Sequence, residues 1–276
     1  MEQDSLVDEE LCGWSVLFSR MGYEATRRVE ASARTFAIVE RLDRGGRARI
    51  STIASDLEMS KGIVHNHVST LRELGYVVKT GDHYQLSAAF VALGHRVRTE
   101  SPLYRAASGV LETYADGDDR GVVLLQRAGD EAVVVDEHRL SPALGLSVGS
   151  THPLARSLPG VLLGVHDETD GEPERITATV EEYDPERLRS ELADRGVVVG
   201  PLTPTGRTLC VAFPVVGDDG DQRGSVGVTV PDDSAAPREG AIEPFVRLRS
   251  RIENRIGSDD TDERSFATEK HSWIDG

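Results

Sequence analysis

The polar side chains between Lys61 and Arg72 recur at intervals that place them along one face of a helix. Lys61, His65 and Ser69 are four residues apart, and Arg72 follows three residues later, so these side chains are helical neighbours. Such side chains, and the Asn66 amide beside them, form hydrogen bonds with phosphates or base edges. Because a DNA major groove admits one α-helix, this row predicts a DNA-reading surface.

The apolar residues of the same stretch place this helix second in a helix-turn-helix. Val64, Val68 and Leu71 follow an i, i+4, i+7 pattern on the opposite side. Ser60 is a suitable N-cap, and Gly75 is a suitable C-terminal residue for the helix. The polar row should therefore face solvent while the apolar row packs inward.

A shorter helix is expected before it and a β-hairpin after it. Ile53, Ala54 and Leu57 would form the inward face of the shorter helix, which should begin at the cap Ser51. Glu58 and Met59 form the turn. The first helix is expected at Glu30–Leu42 and should pack through Ala33, Phe36, Val39 and Leu42. The hairpin, or wing, should consist of the strands Tyr76–Thr80 and His83–Leu86, joined at Gly81-Asp82.

Within this module the expected contacts to DNA fall into three groups. Lys61, His65 and Asn66 are expected nearest the base edges, since N-terminal residues of a recognition helix enter the groove. The glycine at 62 would allow a close approach to the DNA backbone. The complete predicted set is Thr52, Ser60, Lys61, Gly62, His65, Asn66, Ser69, Arg72, Lys79 and His83. Arg47 and Arg49 could contact phosphate or simply be solvated.

The segment Arg34–Gly94 resembles the isocitrate lyase regulator (IclR) family of transcription factors. The matching runs are RTFAIVERL, ISTIASDLEMSKGIVHNHVSTLRELGYVV and KTGDHYQLSAAFVALG. The resemblance implies a recognition helix at Ser60–Leu74 and a wing at Lys79–Tyr84. It also implies dimerisation through the DNA-binding domains and a GAF-like effector-binding domain extending to about Ile256.

The resemblance also implies the place of an effector pocket in the second half. The family's pocket segments correspond to Ser147–His152, Cys210 and Gly227–Thr229, and the cysteine of TLCVAFPV matches the family's L-R-C-V-A pattern. Two positions depart from the family: Thr151-His152-Pro153 stands where G-K-A is common, and Gly200 stands where an acidic residue is common. The resulting effector-binding set is Ser150, Thr151, His152, Cys210, Gly227 and Thr229. A buried hydrophobic role for Cys210 is the alternative.

The sequence predicts an α+β protein with two domains. The expected segments are an N-terminal extension (1–29), a winged helix-turn-helix (30–86), a linker helix (87–102), a GAF-like α/β effector domain (103–257) and an acidic disordered tail (258–276). Expected strands of the effector domain are Val122–Gln126, Ala132–Asp136, Leu144–Val148, Ile176–Val180, Val197–Val199, Leu209–Val216 and Gly224–Val230. Expected helices are Leu103–Tyr114, one starting within His152–Leu158, one from Asp184 to Gly196, and Ile242–Ile256.

The net charge is −16, but it is unevenly distributed. Residues 34–100 contain ten Lys or Arg against seven Asp or Glu, a net of +3, which leaves −19 for the rest. Only three of the 31 basic residues are lysine. Few lysines and many acidic residues are typical of proteins from salt-loving cells, where an acidic surface maintains solubility.

Several other classes of protein are disfavoured by the sequence. Two cysteines, Cys12 and Cys210, do not make a disulfide framework. There is no apolar run of the ~20 residues needed to span a bilayer and no basic signal-peptide start, so a cytoplasmic protein without membrane contact is expected. Neither a catalytic set nor a metal-ligand motif is present in the sequence, so no enzyme activity, metal or cofactor is expected.

Two functions remain open at this point. The first is a transcriptional regulator that binds double-stranded DNA as a homodimer or tetramer and responds to a small-molecule effector. The second is a winged-helix sensor or protein-interaction module that has lost specific DNA reading. Substituting Lys61 and His65 would distinguish them.

Overall fold

The computed structural model describes residues 27–118, 120–165, 183–230 and 242–272, with the backbone alone at 118 and 258–272. The chain forms two compact units, the first ending at Val97 and the second beginning at Arg98. Their boundary lies within the helix expected to be the linker.

The first unit is a helix-turn-helix followed by a two-stranded antiparallel hairpin. Its core holds Ile38, Ile53, Val64 and Val68, all essentially inaccessible to solvent. The elements are α1 (Glu30–Gly45), α2 (Ile50–Asp56), α3 (Lys61–Glu73), β1 (Val77–Thr80), β2 (His83–Leu86) and α4 (Ala89–Glu100). The winged helix-turn-helix expected from the sequence is confirmed.

Two local expectations for this unit are wrong. Phe36 is 62% exposed, whereas Ala37, Ile38 and Leu42 are buried. Phe36 lies roughly 200° around the helix from Ile38, so the two cannot share a face. Ser51 does not cap α2, because the helix begins one residue earlier and the carbonyl of Arg49 already accepts from the amides of Thr52 and Ile53.

The second unit is built on a six-stranded antiparallel sheet with strand order β5-β4-β3-β8-β7-β6. Its strands are β3 (Val122–Ala128), β4 (Glu131–His138), β5 (Thr151–Pro153), β6 (Val198–Pro201), β7 (Leu209–Val216) and β8 (Gln222–Val230). Its helices are α5 (Pro102–Asp118), α6 (Leu158–Val165), α7 (Pro185–Arg195) and α8 (Glu243–Ser272). This arrangement confirms the α+β class.

Both faces of the sheet are covered, so the strands read as nearly continuous apolar runs. On one face, Val122, Phe213 and Val228 pack against α5 and α8. On the other face, Val123, Cys210 and Ala212 pack under α6 and α7. Alternate residues of one strand therefore enter two separate cores.

Helix α7 has the ends that its sequence predicts. The carboxylate of Asp184 accepts from the amide of Glu186 at 3.0 Å, and Pro185 occupies the first turn. Gly196 ends the helix with φ of 71°, a left-handed conformation that glycine adopts without strain.

The segment from Ser141 to Leu158 differs from the sequence expectation. Leu144–Val148 is not a strand: Ser141 caps a short 3-10 turn at Pro142–Leu144, and Gly145 ends it with φ of 66°. His152–Leu158 is not a helix start with Pro153 in its first turn. Thr151–Pro153 pairs with Glu131–Val133 as an edge strand, Leu154–Arg156 forms a 3-10 turn, and α6 begins at Leu158. The hydrogen bonds to β4 hold this β-branched and proline-containing segment extended.

The last helix also runs further than expected. It continues to Ser272, whereas the sequence predicted a helix ending at Ile256 and a disordered tail over 258–276. Acidic and basic residues are mixed in this segment and proline is absent, so its composition is compatible with a helix. The expected strand Ile176–Val180 and most of the N-terminal extension lie outside the described residues. None of the described helices is long and apolar enough to cross a membrane.

Candidate functional site

Helix α3 begins at the residue that its sequence predicts. The hydroxyl of Ser60 accepts from the amide of Ile63 at 3.2 Å, and Ser60 itself has extended backbone angles. Val64, Val68 and Leu71 point into the core. Glu58 forms the preceding turn with φ of 50°, and the amide of Met59 donates to the carbonyl of Ala54 at 2.9 Å. Local hydrogen bonds therefore fix the start of the helix.

The opposite face of α3 is accessible, as a DNA-reading surface requires. Lys61, His65, Asn66 and Arg72 are exposed, and Ser69 is half-buried. Thr52 and Ser60 are exposed in front of this face, Lys79 is exposed on the wing, and His83 is half-buried there. Every DNA-contact residue expected from the sequence is thus at least partly accessible.

Gly62 has no steric reason within the protein to be glycine. The nearest atom to a Cβ added there is the Ser60 hydroxyl at 4.0 Å, and φ at Gly62 lies outside the left-handed region. Alanine would fit and would favour the helix. The space beside Gly62 is therefore open to a molecule that approaches from outside the protein.

The ring of Tyr84 brings the last turn of α3 and the wing together. Tyr84 is buried, and the guanidinium of Arg72 and the ammonium of Lys79 lie 6.0 and 5.5 Å from its ring centre. A cation over an aromatic face is attracted by the ring quadrupole. The ring of Tyr84 therefore contacts two positive charges, one from α3 and one from β1.

A backbone bridge joins the wing to the chain after α1. Ala48 and Tyr84 exchange two hydrogen bonds, of 2.8 and 2.9 Å. This bridge sets Arg47 and Arg49, both exposed, beside the wing. The sequence did not predict the bridge, although the alternation of Arg47, buried Ala48 and Arg49 is a signal for a short extended pairing.

His67 is not part of the outer face of α3. Its Nδ1 lies 2.9 Å from the hydroxyl of Thr35 in α1. That hydroxyl also donates to the carbonyl of Ala31 at 2.9 Å, so it must accept from the ring N–H of His67. The residue therefore joins the recognition helix to the first helix.

The expected effector-binding residues fall into two groups on the sheet. Cys210, Gly227 and Thr229 lie on β7 and β8, where Cys210 is directly opposite Thr229. Ser150, Thr151 and His152 lie at β5, and three strand spacings separate β5 from β8, which is roughly 14 Å. One small ligand would not touch both groups without filling the space between them.

The β7–β8 group is closely packed. The Sγ atom of Cys210 and the ring of Pro159 lie 3.2 and 2.9 Å from the position of a Cβ on Gly227. The hydroxyl of Thr229 accepts from the amide of Gly121 at 2.8 Å and donates to its carbonyl at 3.1 Å. Thr229 therefore uses its hydroxyl to fasten the start of β3.

Burial controls the ionisation of two residues in these groups. Burial raises the pKa of the Cys210 thiol to about 12, so the residue is a neutral thiol at ordinary pH, as expected for a small buried hydrophobe. Burial is also the main cause that lowers the pKa of His152, with a further contribution from the positive charge of Arg156. Thr151 is exposed.

Neither a metal centre nor a phosphate cradle emerges from the part of the chain that the structure describes. Within it there is no cluster of three or more His, Cys, Asp or Glu side chains placed to hold a metal ion. His138 pairs with Asp136 at 3.2 Å, and Arg98 lies 4.0 Å from the same carboxylate. These three side chains form a local polar group within the second unit.

Residues 31–81 match the family model of the IclR helix-turn-helix domain. This segment holds α1, α2, α3 and the first wing strand, and thus every one of the exposed DNA-contact candidates except His83. The chain is also 25% identical over 224 residues to the probable HTH-type transcriptional regulator ArcR of Halobacterium salinarum. That match covers 74% of this chain and 84% of its relative.

Solved structures share the fold over most of the chain. An IclR transcriptional regulator from Alicyclobacillus acidocaldarius superposes with a TM-score of 0.68 at 18% identity, covering 84% of this chain and 99% of that one. An IclR homologue from Microbacterium hydrocarbonoxydans, solved in complex with 4-hydroxybenzoate, gives a TM-score of 0.64 at 17% identity, covering 82% and 99%.

Proposed function

Since the chain belongs to the IclR family of DNA-binding transcriptional regulators, we propose that α3 reads its operator through Lys61, His65 and Asn66. Contacts to phosphates, or to the minor groove on the side of the wing, come from Ser69, Arg72, Lys79 and His83. The DNA backbone approaches the protein beside Thr52, Ser60 and Gly62. The observation that carries this assignment is the exposed polar face of α3, which continues onto the wing at Tyr84. Backbone contacts position the module, and base contacts give specificity.

We propose that the protein acts as a homodimer on two-fold-related half-sites. Helix α4 has no buried residue, and Leu93 and Val97, which are one turn apart on the same face, are 41% and 72% exposed. A second copy of the chain would cover this apolar face. Half-sites related by two-fold symmetry would then be separated by whole turns of ~10–10.5 base pairs. Assembly of dimers into tetramers is compatible with the same contact.

The second unit would control DNA binding through a small-molecule effector. Its fold is shared with a homologue whose structure contains 4-hydroxybenzoate, which supports a ligand role for this unit. An effector changes DNA affinity only if it binds one state of the dimer better than the other. We place the protein in the cytoplasm, where its DNA target lies.

The acidic composition supports function at high salt. The charge outside residues 34–100 is −19, and a relative comes from Halobacterium salinarum. Because phosphate contacts weaken steeply as salt rises, operator selection in such a cell would depend mainly on base contacts and DNA shape.

The test is fluorescence anisotropy of the full chain with fragments of its own upstream region and with scrambled duplexes, titrated from low to molar KCl. We expect selective binding that persists at high salt. Lys61→Ala with His65→Ala should cost about 1–3 kcal/mol per lost base contact and reduce the difference between the duplexes. Arg247→Ala, which removes an exposed cation from α8, is the control.

Three results of this experiment would assign the protein differently. Equal binding of both duplexes that disappears with salt would mean electrostatic attraction alone. Unchanged affinity in the double variant would contradict the role of α3. No binding by a folded chain at any salt concentration would favour a protein-interaction module.

A further inference from the structure

Two polar side chains of the β5 region contain buried polar atoms without a hydrogen-bond partner among the described residues. These atoms are the hydroxyl of Ser150 and the Nε2 of His152. His152 is only 5% exposed. A buried polar atom without a partner costs about 1–3 kcal/mol, so two of them so close together point to a ligand that satisfies both.

The two side chains lie on the same side of the strand. Ser150 and His152 are two residues apart in extended chain, so their side chains share a face. His152 is opposite Ala132, and the amide of Val134 donates to the carbonyl of Ser150 at 3.0 Å. Ala132 and Val134 belong to the core under α6. Both unpartnered atoms therefore face that core, while Thr151 faces solvent.

The hydrogen bonding of His152 fixes the chemistry of its unpartnered atom. Nδ1 lies 3.1 Å from the carbonyl oxygen of Pro153. A carbonyl oxygen only accepts, so Nδ1 must carry the proton. In the neutral ring, Nε2 is then a lone-pair acceptor, and it can be satisfied only by a donor.

The surroundings of His152 favour that neutral ring. Burial lowers the pKa of His152, and the nearby Arg156 lowers it further. The hydrogen bond to the carbonyl of Pro153, whose effect is smaller than that of burial but larger than that of Arg156, and the carboxylate of Glu131 act in the opposite direction. At neutral pH the imidazole therefore presents a lone pair, which repels a carboxylate and attracts an O–H or N–H group.

We propose that the effector of this protein is a hydroxyl-bearing neutral compound, whose O–H donates to Nε2 of His152 and pairs with the hydroxyl of Ser150. This inference rests on the proposed effector-binding role of the second unit. The ligand is neutral because the two atoms face an apolar core, where the carboxylate of an organic acid would be costly to bury. The group nearest His152 has to be a donor, which distinguishes this chain from a receptor that holds a carboxylate at this place.

The test uses matched pairs of alcohols and acids. The full chain is titrated at neutral pH with glycerol and glycerate, with 1,2-propanediol and lactate, and with 4-hydroxybenzyl alcohol and 4-hydroxybenzoate. Thermal unfolding and calorimetry report binding, since a ligand that prefers the folded form raises Tm. We expect at least one alcohol to raise Tm and its acid partner to leave Tm unchanged.

Variants connect binding to the two side chains. His152→Phe keeps a ring but removes the acceptor, and Ser150→Ala removes the hydroxyl; each should weaken alcohol binding by about tenfold, the equivalent of one hydrogen bond of about 1.4 kcal/mol. Thr205→Ala, at an exposed position outside the expected effector-binding set, is the matched control. In addition, ¹⁵N NMR of the ring, assigned with His152→Phe, should show Nδ1–H and a shift of Nε2 when the alcohol binds.

Each remaining outcome would overturn the inference. Tighter binding of the acids, full alcohol binding by His152→Phe, an Nε2–H tautomer, or no response to any member of either series would each contradict it. Operator binding by the same preparation is measured in parallel. If it persists while the ligand test fails, the effector inference falls and the regulator assignment stands.

Discussion

The hydroxyl of Thr35 accepts from Nδ1 of His67 at 2.9 Å, so a hydrogen bond joins α1 to the recognition helix α3. Thr35 lies on the side of α1 that is half-buried against α3. The bond orients α3 from the side opposite the exposed face that we propose to contact DNA.

Replacing Thr35 with valine should therefore destabilise the first unit while leaving the proposed DNA-contact residues in place. We expect a loss of about 1 kcal/mol in the free energy of unfolding, because the ring N–H of His67 loses its partner. Urea unfolding measures it. Thr113→Val is the matched control, since the Thr113 hydroxyl donates only within its own helix. Equal losses in both variants would mean that the bond to His67 contributes nothing.

Replacing Gly62 with alanine should separate DNA binding from stability. The added methyl group meets no protein atom closer than 4.0 Å, and alanine favours a helix over glycine by about 0.5–1 kcal/mol. We expect a stability equal to or above that of the original chain, together with weaker operator binding in anisotropy. Gly109→Ala in α5, another exposed helical glycine with open space around it, should raise stability alone. Unchanged operator affinity in Gly62→Ala would show that DNA does not approach this position.

Introducing charge on α4 should dissociate the proposed dimer. Leu93→Asp with Val97→Asp places two carboxylates on the exposed apolar face, where burial against a second copy would be costly. Light scattering after gel filtration should report a monomer, and operator affinity should fall because one half-site is lost. The control, Ser190→Asp with Ala193→Asp, adds the same charge to exposed positions of α7. If the double α4 variant kept the mass of the dimer in light scattering, the dimer contact would have to lie elsewhere in the chain.

The buried imidazole of His152 should make stability depend on pH. Its pKa is lowered in the folded chain, mainly by burial, so below the ordinary value of about 6.5 the unfolded chain binds more protons than the folded one. Stability should therefore fall as the pH drops from about 6.5 toward the lowered pKa of the folded state. His152→Phe should remove this part of the pH dependence, which urea midpoints across the range would reveal. Parallel curves for the two proteins would contradict it.

The first unit was predictable because its signals are local. Ser60, Gly75 and the Val64–Val68–Leu71 row fix α3 from nearby residues alone, and the hairpin follows from Gly81-Asp82. The face of α1 was harder to predict. Phe36 is large and apolar, and only the contact with α3 determines that Ile38 is buried instead.

The effector region was less predictable because its structure depends on distant pairing. Thr151–Pro153 becomes a strand only because β4 offers a free edge, which no window around Pro153 reveals. The two parts of the expected ligand set are three strands apart for the same reason. Similarly, the engagement of Thr229 with Gly121 spans 108 residues of sequence.

The bridge between Ala48 and Tyr84 ties the position of the wing to one register of β2. Sliding β2 by one residue would break both bridge hydrogen bonds at once and would turn the Tyr84 ring to the opposite face of the hairpin. Arg72 and Lys79 would then both lose their contact with the Tyr84 ring. We therefore expect the register of the hairpin to determine where these two cations, which we propose to contact DNA, are held.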